Sequence, residues 1–106
     1  MFGLFSKSNA KVMNINDVDQ LDKNAKLIDV REHDEYKRGS LKTAKNIPLG
    51  DIINAPDKHL KKENTYYIFC QSGGRSGRAC SHLSKQGYDV VNLSGGMGSY
   101  VGTNRK

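Results

Sequence analysis

The stretch Cys70-Gln71-Ser72-Gly73-Gly74-Arg75-Ser76-Gly77-Arg78 sets one thiol directly after the apolar run Tyr66–Phe69. Small residues then follow, with two arginines among them. A cysteine that only packs behaves as a small hydrophobe and needs none of those neighbours. Gly73, Gly74 and Gly77 permit left-handed or crowded backbone. Successive N–H groups can therefore turn inward as an anion-binding nest, reinforced by the start of a following helix. Such a cradle favours the thiolate, and Arg75 and Arg78 add positive charge. A free thiol near 8.5 can fall to roughly 3.5–7.5 in these surroundings. Cys70 is thus the candidate nucleophile, and an anion is its natural target. Cys80 reads differently. It shares a helix face with Ala79 and Leu83, so packing is its expected role, with a resolving thiol as the lesser alternative.

The elements that must position this loop follow from pattern. Thr65–Phe69 is continuous, β-branched and aromatic, as in a strand covered on both faces. Arg75–Gln86 reads as a helix stopped at Gly87. Strands are also expected at Val12–Ile15, Lys26–Val30 and Asp89–Leu93, with an extended stretch at Ala44–Pro48. Shorter helices are expected from Asn16 or Asp17 to about Lys23, over Glu32–Lys37, around Ile52 and Ile53, from Asp57 to Leu60, and over Met97–Val101. Ser94-Gly95-Gly96 is a turn. Strands alternating with helices predict an α/β fold with a mainly parallel sheet, and ligands of such sheets bind at the carboxyl edge. Asp29 and Arg31 end a strand at that same edge. A buried structural pair is the expected role for them, ahead of direct chemistry.

Composition narrows the partners. The chain has 106 residues, 36% of them hydrophobic, and a net charge of +6. That length suits one domain with a small core. The first ten residues, with apolar Met1–Phe5, read as a flexible or loosely docked segment ahead of a single domain over 11–106. The positive balance favours anionic partners. The basic residues are scattered, and the densest lysine cluster (Lys58, Lys61, Lys62) has no interleaved aromatics, so no nucleic-acid partner is expected. Two cysteines make no disulfide framework, and no apolar run has signal-peptide or membrane-helix length. The expectation is a cytoplasmic protein without membrane attachment. His33, His59 and His82 have no metal-ligand spacing with one another or with the cysteines, so no metal is expected. Gly95-Gly96-Met97-Gly98 follows a strand but lacks both the dinucleotide fingerprint and a phosphate-binding Lys-Ser/Thr.

Loop length separates two chemistries. Four residues lie between Cys70 and Arg75. The cysteine phosphatase loop, Cys-x5-Arg, has one more, which wraps a tetrahedral phosphate. The shorter loop makes a tighter cradle, better sized for an extra sulfur on the cysteine. Phe69 also stands where phosphatases place a His.

The stretch "CQSGGRS" resembles the active-site loop of rhodanese-type sulfurtransferases. "LIDVREHDEYKRGSLKTAKNIPL", residues 27–49, is similar to the family's upstream signature of Asp-Val-Arg, Glu-Tyr, Gly and Ala-x-Asn-Ile-Pro. "LSKQGYDVVNLSGGM", residues 83–97, resembles its helix, Gly-Tyr, strand and Gly-Gly ending. The resemblance implies a rhodanese-like α/β fold, a five-stranded mainly parallel sheet flanked by helices on both faces. It implies that Cys70 takes a sulfane sulfur from thiosulfate, another small anionic donor or a protein persulfide, and yields it to cyanide or a thiol. N–H groups of Gln71, Ser72, Gly73, Gly74 and Arg75 would cradle the terminal sulfur. Arg75 would orient the loop and help hold an anionic donor, and Ser76, Asp29 and Arg31 would give support. No metal or organic cofactor is implied. A catalytically idle interaction module is the alternative, and a cysteine phosphatase or arsenate reductase a more distant one. Two positions depart from the family pattern. Ser40 stands where a His is frequent after the glycine, and Met97 where an aromatic is frequent after Gly-Gly.

Overall fold

A computed structural model describes residues 11–106. The expectation for residues 1–10 lies outside the described residues. Five strands form one sheet: β1 (Lys11–Asn14), β2 (Lys26–Asp29), β3 (Lys45–Asn46), β4 (Thr65–Phe69) and β5 (Asp89–Ser94). Their order is β1-β5-β4-β2-β3, and each of the four pairings is parallel. The helices are α1 (His33–Lys37), α2 (Leu49–Asn54), α3 (Gly74–Lys85) and α4 (Gly96–Ser99).

Strand parity builds two apolar layers, because successive side chains point to opposite faces. Tyr66, Ile68 and Cys70 join Ile52 of α2 and Ala79, Cys80 and Leu83 of α3 on one face. Phe69, Leu93, Ile15, Val18, Met97 and Tyr100 fill the other. Both faces are covered, as the continuous apolar reading of β4 requires.

Three elements differ from expectation, and the first is the helix expected from Asp57 to Leu60, which is a 3-10 turn over Pro56–Lys58 begun by the proline. The segment expected as a helix from Asn16 or Asp17 to Lys23 is a 3-10 helix over Ile15–Gln20. Asn14, just before it, accepts from the Asn16 N–H at 2.8 Å, which starts the turn earlier and draws Ile15 out of the strand. Asp22 then accepts from the Asn24 N–H at 2.7 Å, and this local side-chain bond competes with continued helix. The last helix spans Gly96–Ser99 rather than Met97–Val101. Asn16 explains the early stop: its amide donates to the Ser99 carbonyl and accepts from the Val101 N–H. Beyond it the chain returns to the loop after α1. Ser40 and Lys106 exchange backbone hydrogen bonds, and the Lys42 N–H donates to the Asn104 carbonyl.

Candidate active site

The carboxyl ends of β2, β4 and β5 meet at one edge. Arg31 follows β2, Cys70 follows β4, and the Gly95-Gly96 turn follows β5. Cys70 is fully buried. The chain leaves β4, and Gly73 takes a left-handed φ of 104° as the cap of α3. That turn, open to glycine and costly for other residues, aims the start of α3 at the sulfur. Cys70 Sγ accepts from the Gly73 N–H at 3.1 Å and the Ser76 N–H at 3.4 Å, and the Ser76 hydroxyl oxygen lies 3.4 Å away. Burial pushes the thiol pKa up. The Ser76 hydroxyl and the N–H groups of Ser76, Gly73 and Ser72 pull it down further, and the balance is a lowered value. Ser76, itself buried, thus takes a larger share in holding the resting sulfur than the sequence pattern assigned to it.

Cys80 shows the opposite balance. It is completely buried, and desolvation, reinforced by the nearby Cys70 charge, pushes its thiol up to about 12. That is the setting of an inert packing cysteine.

Arg75 does not stand free at the loop. Its guanidinium forms a bidentate pair with Glu35 of α1, at 2.8 and 3.0 Å. Glu35 also accepts from the Glu32 N–H at 2.9 Å, closing the first turn of α1. Hydrogen bonding from Arg75 is the main reason the Glu35 carboxyl sits at about 2, with burial opposing it. A carboxylate depressed in this way contributes fully to stability above its unfolded pKa and loses that contribution progressively as pH falls from there through about 2. The tie between loop and α1 therefore holds at neutral and mildly acidic pH. Glu35 escaped the sequence reading because nothing in the order of residues marks it as the partner of Arg75. The only cue was its place in the Glu-Tyr signature.

Asp29 and Arg31 form the buried pair. Asp29 is wholly inaccessible, and Arg31 is 5% exposed. Arg31 binds the carboxylate through Nε at 3.0 Å and Nη2 at 2.8 Å. The Ser40 hydroxyl donates to the same carboxylate at 2.8 Å, so the serine found in place of a frequent histidine completes this network. Arg31 Nη1 then reaches the Gln71 side-chain oxygen at 3.1 Å and fixes the residue after Cys70.

The glycine turn after β5 belongs to the site as well. The N–H groups of Met97 and Gly98 donate to the carbonyls of Cys70 and Gln71, both at 2.9 Å. Reading the stretch only as a turn overlooked this grip on the Cys70 backbone. Beside Gln71 opens a cavity of about 420 Å³ whose walls include Arg31, Arg38 and Arg105. Among the described residues, no three His, Cys, Asp or Glu side chains group as a metal site, and no helix is long and apolar enough to cross a membrane.

A parallel α/β sheet with a thiol held on the first turn of the helix after its central strand defines a class of cysteine-loop proteins. Comparison with known proteins gives the family. The profile for the rhodanese-like domain matches residues 14–103, and the chain belongs to that family. It is 40% identical over 85 residues to YtwF of Bacillus subtilis, whose name assigns it provisionally as a sulfurtransferase; the match covers 78% of this chain and 80% of that protein. It is 36% identical to a protein named sulfurtransferase from Allochromatium vinosum, over 67% of this chain and 66% of that one. Among solved structures, a rhodanese-like domain protein from Staphylococcus aureus superposes with a TM-score of 0.80 at 29% identity, over 91% of this chain and 96% of that one. A structure described as rhodanese with anions from E. coli superposes with a TM-score of 0.67 at 30% identity, over 77% and 96% of the two chains. Relatives named for sulfur transfer place the chain in a rhodanese-type sulfur transfer family.

Proposed function

We propose that the protein is a sulfurtransferase that carries a sulfane sulfur as a persulfide on Cys70. The observation behind this reading is the set of polar groups around a single thiol at the start of α3: Sγ accepts from two backbone N–H groups and has the Ser76 hydroxyl 3.4 Å away. With thiosulfate as donor, the Cys70 thiolate attacks the outer sulfur. The sulfur–sulfur bond of the donor breaks, sulfite departs with its electron pair, and a cysteine persulfide remains. An acceptor thiolate or cyanide then attacks the terminal sulfur, and Cys70 leaves as the thiolate. The two steps balance without an outside oxidant. The N–H groups of Gly73 and Ser76, already directed at Sγ, suit the charge that builds on the terminal sulfur.

Loading tests this directly. After incubation with thiosulfate, intact mass should show one added sulfur, lost on treatment with cyanide, with thiocyanate formed. Cys70→Ser should show neither. Wild-type protein that gains no sulfur from thiosulfate or from a small-molecule persulfide would overturn the reading.

The positive charge for an anionic donor comes from a different quarter than the loop arginine. Arg75 is matched by Glu35, and Arg31 by Asp29. Arg105 has no carboxylate partner among the described residues, and it lines the cavity beside Gln71. Its guanidinium lies over the Tyr100 ring and donates to the Tyr100 carbonyl at 3.0 Å, which sets its direction. Arg105→Gln should raise the thiosulfate KM by about threefold to tenfold with little change in kcat, and the difference should shrink at high salt. An unchanged KM at low ionic strength would remove Arg105 from donor binding.

A further inference from the structure

Ser76 has one hydroxyl proton and faces three acceptors. Its Oγ lies 2.6 Å from Asn92 Oδ1, 3.2 Å from the Gly73 carbonyl and 3.4 Å from Cys70 Sγ. A hydroxyl donates once and accepts through its lone pairs. The shortest contact lies in the range of good O–H···O bonds, so the proton points at Asn92. The lone pairs of Oγ then remain to accept from the Cys70 S–H. The Asn92 amide is oriented by its other end. Nδ2 lies 3.4 Å from the Gly73 carbonyl, and turning the amide over would set two oxygens against each other.

Asn92 is placed for this by strand parity. It sits on β5 beside Ile68 of β4 and two residues after Val90, so it faces α3. The resulting chain runs from the Cys70 thiol to Ser76 to Asn92, and it suits a neutral sulfur. A thiolate cannot donate, so the Ser76 hydroxyl must rotate toward sulfur and give up its bond to Asn92.

We propose that Asn92 is a positioning residue for Cys70: its side-chain carbonyl draws the Ser76 proton away from sulfur and so sets how readily the thiol ionises. The consequence for turnover rests on Cys70 being the nucleophile of sulfur transfer, but thiol ionisation itself can be read without any sulfur donor. The Ser76 hydroxyl and N–H both lower the Cys70 pKa, so a group that competes for that hydroxyl bears on it. The charged and titratable neighbours are few. From α3 come Arg75, which feels the Cys70 charge, and Cys80. Glu35 of α1 is bound to Arg75, and Asp29 and the Arg31 that follows β2 are bound to each other. β5 contributes the neutral Asn92.

The test is a pH titration of thiolate absorbance on the whole chain, in a thermodynamic cycle with Ser76. Asn92→Leu removes the competing acceptor and should lower the Cys70 midpoint by about one pH unit, a tenfold change in thiolate fraction on the acid side. In a Ser76→Ala background the same substitution should move nothing. Asn92→Asp keeps the acceptor, adds negative charge and should raise the midpoint. An unchanged or raised midpoint in Asn92→Leu, or an equal shift with and without the Ser76 hydroxyl, would overturn the proposal. Should Asn92→Leu fail to fold, the aspartate variant decides alone, and a midpoint that stays or falls counts against the idea. Wild-type protein that titrates as expected but never accepts sulfur would instead count against the sulfur-transfer reading.

Discussion

Gly96→Ala is expected to cut sulfur transfer about 100-fold in a protein that still folds. Gly96 has a φ of 63°, and a Cβ built there would stand 2.5 Å from the Cys70 carbonyl oxygen and from the Gln71 carbonyl carbon and oxygen. Those atoms are backbone, so no side chain can swing aside. Either the glycine turn or the nucleophile loop must shift. The neighbouring N–H groups of Met97 and Gly98 hold the same two carbonyls, so a shift also breaks the grip that fixes Cys70. Misplacement on the order of 1 Å costs roughly 10²-fold in rate. The left-handed backbone adds about 1–2 kcal/mol of strain for alanine, which a folded domain survives. Gly98→Ala is the control. There the new Cβ would lie 3.1 Å from the Gln71 carbonyl oxygen and side-chain nitrogen, a contact that small adjustments relieve. Thiocyanate formation with thiosulfate and cyanide, alongside thermal unfolding, reads both variants. Gly96→Ala activity within threefold of wild type would mean that the turn does not fix the loop.

The largest loss of stability is expected from Asp29→Ala. Asp29 is fully buried and its partner Arg31 nearly so. Its carboxylate accepts from the Arg31 guanidinium, the Arg31 N–H and the Ser40 hydroxyl. Removing it leaves a guanidinium in the interior without a counter-charge, which costs roughly 3–5 kcal/mol. Native domains have only about 5–15 kcal/mol in total. With a urea slope of about 2 kcal/mol/M, the unfolding midpoint should fall by roughly 2 M. Arg31 also holds the Gln71 side chain, so folded Asp29→Ala should load sulfur more slowly too. A midpoint within about 0.5 M of wild type would show that the pair contributes little.

These two substitutions also mark what a reader of the residues could and could not find. Asp29 and Arg31 were legible: two opposite charges at the end of an apolar strand have little alternative to each other. The strand before Cys70, the helix after it and the parallel sheet were legible from pattern, because β4 is β-branched or aromatic at every position and the glycines follow it. The role of Gly96 was not. Its φ and its approach to Cys70 exist only when β5 and β4 lie side by side, and sequence spacing carries no trace of that distance. The Arg75–Glu35 pair was hidden for the same reason, which is why Arg75 reads as a free cation until α1 is in place. The 3-10 helix at Ile15–Gln20 fell to a local contest that propensity treats poorly, where Asn14 and Asp22 side chains bind nearby N–H groups. Asn92 was not singled out by the sequence either; its place beside Ile68 and its distances to Ser76 gave that position a meaning.

The strand order has a bearing on how the chain reaches this state. β1 is an edge strand whose single partner is β5, with Lys11 paired to Val91 and Asn14 to Ser94. During synthesis the first strand therefore waits, unpaired, until nearly the whole domain has left the ribosome. Parallel pairings of such separation close late and slowly, because loop entropy is lost before any contact compensates. The Gly95-Gly96 turn directly follows β5, so it can grip the Cys70 backbone only once β5 lies beside β4. A chain in which β5 has not yet paired carries Cys70 without that hold on its carbonyl.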